Sequence, residues 1–140
     1  MTNNAETFRA LHQPGNPFIL ANAWDTGSAL MMQGLGAKAI GTSSAALAFT
    51  LGTRDMGHIT RDQALVHAED MVAALDVPVS GDLENGFGHA PETCAETVIL
   101  AAEVGLAGIC IEDVALPADD AYTFDLAVER IRAAAAAART

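Results

Sequence analysis

Short runs of β-type hydrophobic residues alternate four times with longer helical patterns along these 140 residues. The expected strands cover residues 18–24, 37–42, 77–82 and 107–112, and a helical pattern follows each of them. Successive strand-helix units give a parallel sheet, because each helix returns the chain to the starting edge of the sheet. The pattern therefore predicts an α/β fold, and periodicity alone leaves both a doubly wound sheet and a barrel open.

No Pro/Gly/Ser-rich linker interrupts this alternation, and 51% of the residues are hydrophobic, so the sequence predicts one domain over residues 1–140. A short helix is expected around residues 7–12, before the first strand. The segment 43–59 is predicted to be a long loop between the second strand and the helix that Thr60 caps. A loop of this length indicates a functional role.

The net charge of the chain indicates which classes of partner it can bind. Eighteen acidic residues against seven basic ones give a formal charge of -11, which opposes binding to nucleic acid or to an anionic membrane and suits cations. The N-terminal residues lack the basic start and apolar run of a signal peptide, so a cytoplasmic location is expected. Cys94 and Cys110 have no CxxC spacing and are predicted to be small buried or half-buried residues without a disulfide.

Acidic residues follow the third and fourth strands. Asp82 and Glu84 are two positions apart, so the pleat of a strand would direct both carboxylates to one side, and Glu112 ends the next strand. Carboxylates that end adjacent parallel strands can converge on one hard cation, and Mg2+ prefers such oxygen ligands. Each acid alone could instead cap a helix or form a salt bridge at a loop, and this is the better interpretation of the neighbouring Asp113.

Several segments together resemble a known family. They are Asn22-Ala-Trp-Asp25, Gly41-Thr-Ser-Ser-Ala45, Leu51-Gly-Thr-Arg-Asp55, Ser80-Gly-Asp-Leu-Glu-Asn-Gly-Phe-Gly88 and Gly108-Ile-Cys-Ile-Glu-Asp113. In order and spacing they are similar to the signature segments of the isocitrate lyase/phosphoenolpyruvate mutase superfamily. The resemblance extends from about residue 8 to the C-terminus and implies a (β/α)8 TIM-barrel type of fold.

The resemblance implies a role for each matching residue. Asp82 would ligate Mg2+ directly, with Mn2+ as a substitute ion, while Glu84 and Glu112 would hold the metal through water. Ser43, Ser44 and Ala45 would bind the substrate carboxylate or oxyanion, with Ser43 also assigned to catalysis. Asp55 would lie on a mobile gating loop over the reacting group and act there. The implied activity is Mg2+-dependent C-C or P-C bond chemistry on a small 2-oxo acid or phosphonate through an enolate.

One departure concerns the region after the fourth strand. The lyase branches carry a K-[KR]-C-G-H segment whose Cys supplies acid/base chemistry, whereas residues 114–122 contain neither Cys nor His. This difference favours the mutase, phosphonopyruvate hydrolase and oxaloacetate decarboxylase-like branches. A 2-methylisocitrate or isocitrate lyase type of enzyme is the alternative.

The second departure is the number of strand-helix units. Only the first four units of an eight-stranded barrel are expected here, and four strands cannot close such a barrel. The first and fourth strands would then be open edges beside apolar surface, so a homo-oligomer is expected. A catalytically incomplete half-barrel that only self-associates is a further alternative to the enzyme.

Overall fold

A parallel sheet lies at the centre of the computed structural model, which describes residues 4–118 and 120–139. Its strands are β1 (Ala21–Asn22), β2 (Ile40–Gly41), β3 (Val79–Asp82) and β4 (Gly108–Cys110), paired in that order. In the register, Ile40 lies between Ala21 and Val79, and Ser80 pairs with Gly108. The predicted α/β class with a parallel sheet is confirmed.

Six helices are present in the described part of the chain. They are α1 (Asn4–Leu11), α2 (Thr26–Gly34), α3 (Ser44–Thr50), α4 (Arg61–Ala74), α5 (Pro91–Glu103) and α6 (Phe124–Ala137). Local sequence explains several starts: Asp25 with Ser28 and Thr60 with Gln63 form capping boxes at α2 and α4. Pro91 begins α5, where its missing N–H costs no helical hydrogen bond.

The structure differs from the sequence prediction in the segment 43–59, which is not a continuous loop. Its first part forms α3, whose Ala46, Leu47 and Ala48 are buried in the core. The strands are also shorter than predicted, because ladder pairing covers only two to four residues in each. A small antiparallel hairpin of β5 (Val114–Ala115) and β6 (Asp120–Ala121) was not predicted.

Two buried clusters pack against the sheet and fix the positions of its strand ends. One contains Ile40, Met71 and Val79, and the other contains Leu47, Leu65 and Leu83 with Phe87 and Ile109 at its margin. Burial of such side chains contributes about 1.5–3 kcal/mol each. The strands therefore present their carboxyl ends at one edge of a packed core, beside the loops that follow them.

The two cysteines differ in their exposure to solvent. Cys94 is buried as predicted, but Cys110 is exposed, and both thiols are free. The prediction of a buried or half-buried Cys110 is wrong: this residue ends β4, which is an edge strand of the described sheet and is less covered than the central strands. Among the described helices, none has both the length and the apolar character that crossing a bilayer requires.

Candidate active site

Asp82 occupies the carboxyl end of β3, and its carboxylate is held by several donors. Ser44 donates from its backbone N and from its Oγ to Asp82 Oδ2, each at 2.9 Å, and the backbone N of Glu84 donates to Oδ1 at 3.2 Å. The Thr42 hydroxyl accepts from the Asp82 backbone N at 2.8 Å. Hydrogen bonds to a carboxylate are stronger than neutral ones, so this side chain is held in one orientation.

Glu84 lies beyond the end of β3, in a turn. Its backbone has φ +46°, in the left-handed region, so the strand pleat does not explain its position relative to Asp82. Glu84 is only 2% exposed, and its Oε1 accepts from the backbone N of Gly57 at 3.1 Å. The Glu84 carbonyl accepts from Glu112 N at 2.7 Å, which joins the segments that carry these two acids.

The acids influence one another electrostatically. Burial raises the pKa of Glu84; the Gly57 hydrogen bond opposes this rise, and the charges of Asp55, Asp82 and Glu112 add to it. Burial likewise raises the pKa of Glu112, followed by the charges of Asp82, Asp55 and Asp113. A like charge nearby disfavours the ionised form of a carboxyl group and so raises its pKa. The charges of Asp55 and Asp82 thus act on both Glu84 and Glu112.

The serine segment begins α3. Ser43 is its N-cap and accepts from Ala46 N at 3.3 Å, while the Ser44 hydroxyl is directed to Asp82. Ala45 is half-buried in the first turn. Each hydroxyl therefore has a structural partner, and contact of these residues with a substrate stays a prediction.

Asp55 lies in the remaining loop between α3 and α4. Its carbonyl oxygen is 3.1 Å from His58 Nδ1, and the next two residues, Met56 and Gly57, have φ +70° and +81°. A salt bridge between Asp55 and Arg54 would be the ordinary role of a loop acid. Within residues 4–118 and 120–139, the one ion pair within 4.0 Å joins Arg61 to Glu96 instead.

Two residues beside the acids were not identified as site residues from the sequence. The pKa of the Cys110 thiol is raised by partial desolvation and then by the charges of Asp82 and Glu112. Arg130 of α6 is 1% exposed, and its guanidinium donates to backbone carbonyls of the segment after Glu84. An Arg in an Ala-rich helix gives no sequence signal of burial, because Arg side chains usually face solvent.

A cleft of about 580 Å3 borders Glu84. One wall comes from residues around Gly57 and the start of α4, and the other comes from the segment between Glu84 and His89. Asp82 and Glu112 do not line this cleft, so Glu84 is the one of these three acids that borders it. We therefore assign the candidate site to the strand ends rather than to the cleft.

The side chains at the strand ends offer oxygen ligands for a metal ion. Every candidate ligand at the strand ends is a carboxylate, which matches a hard cation such as Mg2+. In the described part of the chain, no three His, Cys, Asp or Glu side chains converge closely enough to form a direct metal cage. Mg2+ commonly takes one or two carboxylates directly and keeps several waters, so the carboxylates present fit the chemistry of this ion.

Comparison with known proteins gives consistent matches. A Burkholderia cenocepacia J2315 crystal structure with a provisional lyase/mutase assignment superposes with a TM-score of 0.92 at 51% identity, covering 98% of this chain and 49% of that one. The uncharacterized protein Rv1998c of Mycobacterium tuberculosis (strain ATCC 25618 / H37Rv) is 39% identical over 76% of this chain and 40% of its own length. The 2-methylisocitrate lyase of Bacillus subtilis (strain 168) is 33% identical over 81% of this chain and 37% of its own length.

Oxaloacetate decarboxylases of two Pseudomonas species match as well. The chain spans about half the length of the solved structure and about two fifths of the first two curated relatives. The sequence profile for phosphoenolpyruvate phosphomutase matches residues 8–140. The chain therefore belongs to the phosphoenolpyruvate phosphomutase family, within the superfamily of lyases and mutases that also includes isocitrate lyase.

Proposed function

We propose that this chain carries the metal-binding half of a Mg2+-dependent enzyme that acts on a small 2-oxo acid or phosphonate through an enolate. The observation that carries the proposal is the placement of acids at neighbouring strand ends: Asp82 ends β3, and just beyond it the Glu84 carbonyl accepts from the backbone N of Glu112 at 2.7 Å. Acids at the carboxyl ends of neighbouring parallel strands, with Asp55 on the loop between α3 and α4, are well suited to a divalent cation.

In this proposal Asp82 ligates Mg2+ directly, and Glu84 and Glu112 hold it through water. Mn2+ would serve as a substitute ion with the same oxygen preference. When bound, the metal supplies positive charge that stabilises negative charge developing on substrate oxygens. The chain's own contribution is orientation, because Ser44 fixes the Asp82 carboxylate and Gly57 fixes that of Glu84.

Substrate contact is assigned to the start of α3 and to the loop above it. Ser43, Ser44 and Ala45 would bind the substrate carboxylate or oxyanion, chiefly through hydroxyl and backbone N–H groups. Asp55 would act on the reacting group from the loop. The Gly57–Glu84 hydrogen bond holds this loop close to the acids, where closure would exclude water from the reaction.

A C-C lyase is the second candidate, because 2-methylisocitrate lyases are among the relatives. Such an enzyme needs a proton donor that residues 114–122 do not offer as Cys or His. Cys110 is the thiol whose pKa responds to Asp82 and Glu112. Replacing Cys110 with Ser would lower the rate of a thiol-dependent lyase and leave a mutase or decarboxylase largely unchanged.

We also propose that residues 1–140 are one domain, the first four β/α units of a (β/α)8 barrel. Two features support this: the parallel order β1-β2-β3-β4, and relatives about twice as long as this chain. The outer strands β1 and β4 would pair with a second half, supplied by further chain or by another copy. The alternative is a catalytically incomplete half-barrel that only self-associates.

The enzyme proposal is tested with a panel of substrates. Oxaloacetate, phosphonopyruvate and 2-methylisocitrate are each incubated with the chain in Mg2+ and in excess chelator, over a wide range of protein concentration. Mg2+-dependent consumption of one substrate, abolished in Asp82→Ala, is the expected result. A folded chain that binds Mg2+ but turns over none of them at any concentration would contradict the enzyme and leave the incomplete half-barrel.

A further inference from the structure

Arg130 is the largest fully buried side chain of the described residues, with 1% exposure. A buried cation is normally paired with a carboxylate, because loss of hydration is costly. Within the described ranges, however, no carboxylate lies within 4.0 Å of this guanidinium. Backbone carbonyl oxygens accept its hydrogen bonds instead, which indicates that the side chain holds a particular segment of backbone in place.

The partners of Arg130 are carbonyl oxygens of the segment that follows Glu84. Nη1 donates to the carbonyls of Gly88 and His89, each at 2.6 Å, and Nη2 donates to the carbonyl of Asn85. One rigid guanidinium thus holds both ends of this five-residue segment. A Lys ammonium could not reproduce this planar fork of donors.

The segment needs such support because of its backbone. Glu84 and Phe87 have φ +46° and +60°, and Gly86 has φ +77°. Non-glycine residues in the left-handed region persist where the surrounding structure holds them there. The carbonyl contacts of Arg130 begin at the residue next to Glu84 and extend past Phe87.

Tyr122 completes this arrangement. Its ring stacks on the guanidinium with 4.0 Å between the Arg130 Cζ and the ring centroid. Its hydroxyl accepts from Asn85 Nδ2 at 3.1 Å and is 2.8 Å from His89 Nδ1. The Tyr122 backbone N also donates to the Asp113 carbonyl at 2.9 Å, next to Glu112.

We propose that Arg130 and Tyr122 are positioning residues for the acid site: they hold the 85–89 segment so that the Glu84 carboxylate faces Gly57 and the metal position. This inference rests on the proposed Mg2+ site for its functional meaning. The contacts that carry it are independent of that proposal. Both residues act through Glu84 and need not touch the metal or substrate themselves.

The test compares Arg130→Lys and Tyr122→Phe with Arg132→Lys, an exposed position on the same helix. Loss of the guanidinium fork is expected to weaken Mg2+ affinity about tenfold, as for other groups that orient ligands, and Tyr122→Phe should weaken it less. Arg132→Lys should match the wild type. The thermal midpoint of each variant shows whether the chain stays folded.

Hydrogen exchange at the Gly57 amide gives a readout that needs no metal. This amide donates to Glu84 Oε1, so displacement of the Glu84 carboxylate should speed its exchange in Arg130→Lys but not in Arg132→Lys. If the wild type binds no Mg2+, the proposed function fails, and Gly57 exchange alone decides the positioning role. If Arg130→Lys does not fold, Tyr122→Phe decides it. Unchanged Gly57 exchange and unchanged Mg2+ affinity in a folded variant would overturn the inference.

Discussion

At the scale of single residues, adjacent serines have different tasks. Ser43 stabilises the start of α3, whereas Ser44 donates twice to Asp82 across 38 positions of sequence. A side chain that orients a metal ligand affects affinity without touching the metal. The distinction between these two residues depends on tertiary contact, which a serine pair in sequence does not reveal.

We expect Ser44→Ala to weaken Mg2+ binding about tenfold, because one of the two bonds to Asp82 Oδ2 is lost. Ser43→Ala is the matched control. It should lower the free energy of unfolding by about 1 kcal/mol through loss of the N-cap and leave Mg2+ affinity unchanged. Calorimetry and denaturant unfolding measure the two effects. Equal affinity loss in both variants would contradict the assignment.

The buried Glu84 predicts a pH effect on stability. Because burial raises its pKa, the folded chain retains the proton to higher pH than the unfolded chain does. This contribution to stability is complete below the ordinary value of 4.5 and is lost as pH rises through the raised pKa. In chelator, Glu84→Gln should therefore have a higher thermal midpoint than the wild type at pH 8, and the difference should shrink toward pH 4.

Glu96→Gln is the control for this pH series. The hydrogen bond and charge of Arg61 lower the pKa of Glu96, so its stabilising effect is present above its ordinary pKa. Removing that carboxylate should not raise the thermal midpoint at pH 8. If Glu84→Gln and the wild type lose stability in parallel between pH 4 and pH 8, the carboxylate of Glu84 is not the source of the effect.

At the scale of elements, the sequence predicted the sheet strands and the longer helices, since each has a hydrophobic pattern of sufficient length. It missed α3, which has only seven residues and is stabilised by burying Leu47 and its neighbours. It also missed the β5–β6 hairpin, whose two-residue strands are too short to show alternation. The left-handed Glu84 was equally hidden, because Glu carries no turn signal in sequence.

The loop above the site predicts different effects for two glycines. Gly52 and Gly57 both have left-handed backbones, but a Cβ at Gly52 would meet nothing within 4 Å, whereas at Gly57 it would lie 3.1–3.2 Å from Leu116 and Pro117. Gly57→Ala should therefore destabilise the chain by about 1–3 kcal/mol more than Gly52→Ala, because crowding adds to backbone strain. Denaturant unfolding measures this difference, and equal losses would contradict the crowded packing of the loop.

At the scale of the whole molecule, exposed apolar side chains lie at both edges of the sheet. The β1-edge patch contains Ile19 and Leu35, which are 84% and 87% exposed, and the β4-edge patch contains Phe124, Val128 and Ile131. Exposed apolar surface beside unpaired strands favours association. The strand order thus gives a physical reason for the expected homo-oligomer.

We expect the isolated chain to associate with rising concentration in analytical ultracentrifugation. Leu35→Lys combined with Ile131→Lys should shift it toward monomer, because both edge patches then carry charge. Val66→Lys combined with Ile99→Lys adds the same charge at exposed apolar residues outside these patches and should leave association unchanged. A wild-type chain that is a folded monomer at every concentration would refute the half-barrel.

The proposed metal site of Asp82, Glu84 and Glu112 is tested most directly by titrating Mg2+ into the folded chain and following the heat of binding. The wild type and Asp76→Asn, which removes an exposed acid elsewhere, should show one binding site. Asp82→Asn should weaken it about 100-fold or more, because a unit charge about 4 Å from another contributes up to about 4 kcal/mol. Absence of Mg2+ binding to the folded wild type, or equal affinity in Asp82→Asn, would contradict a metal site at these strand ends.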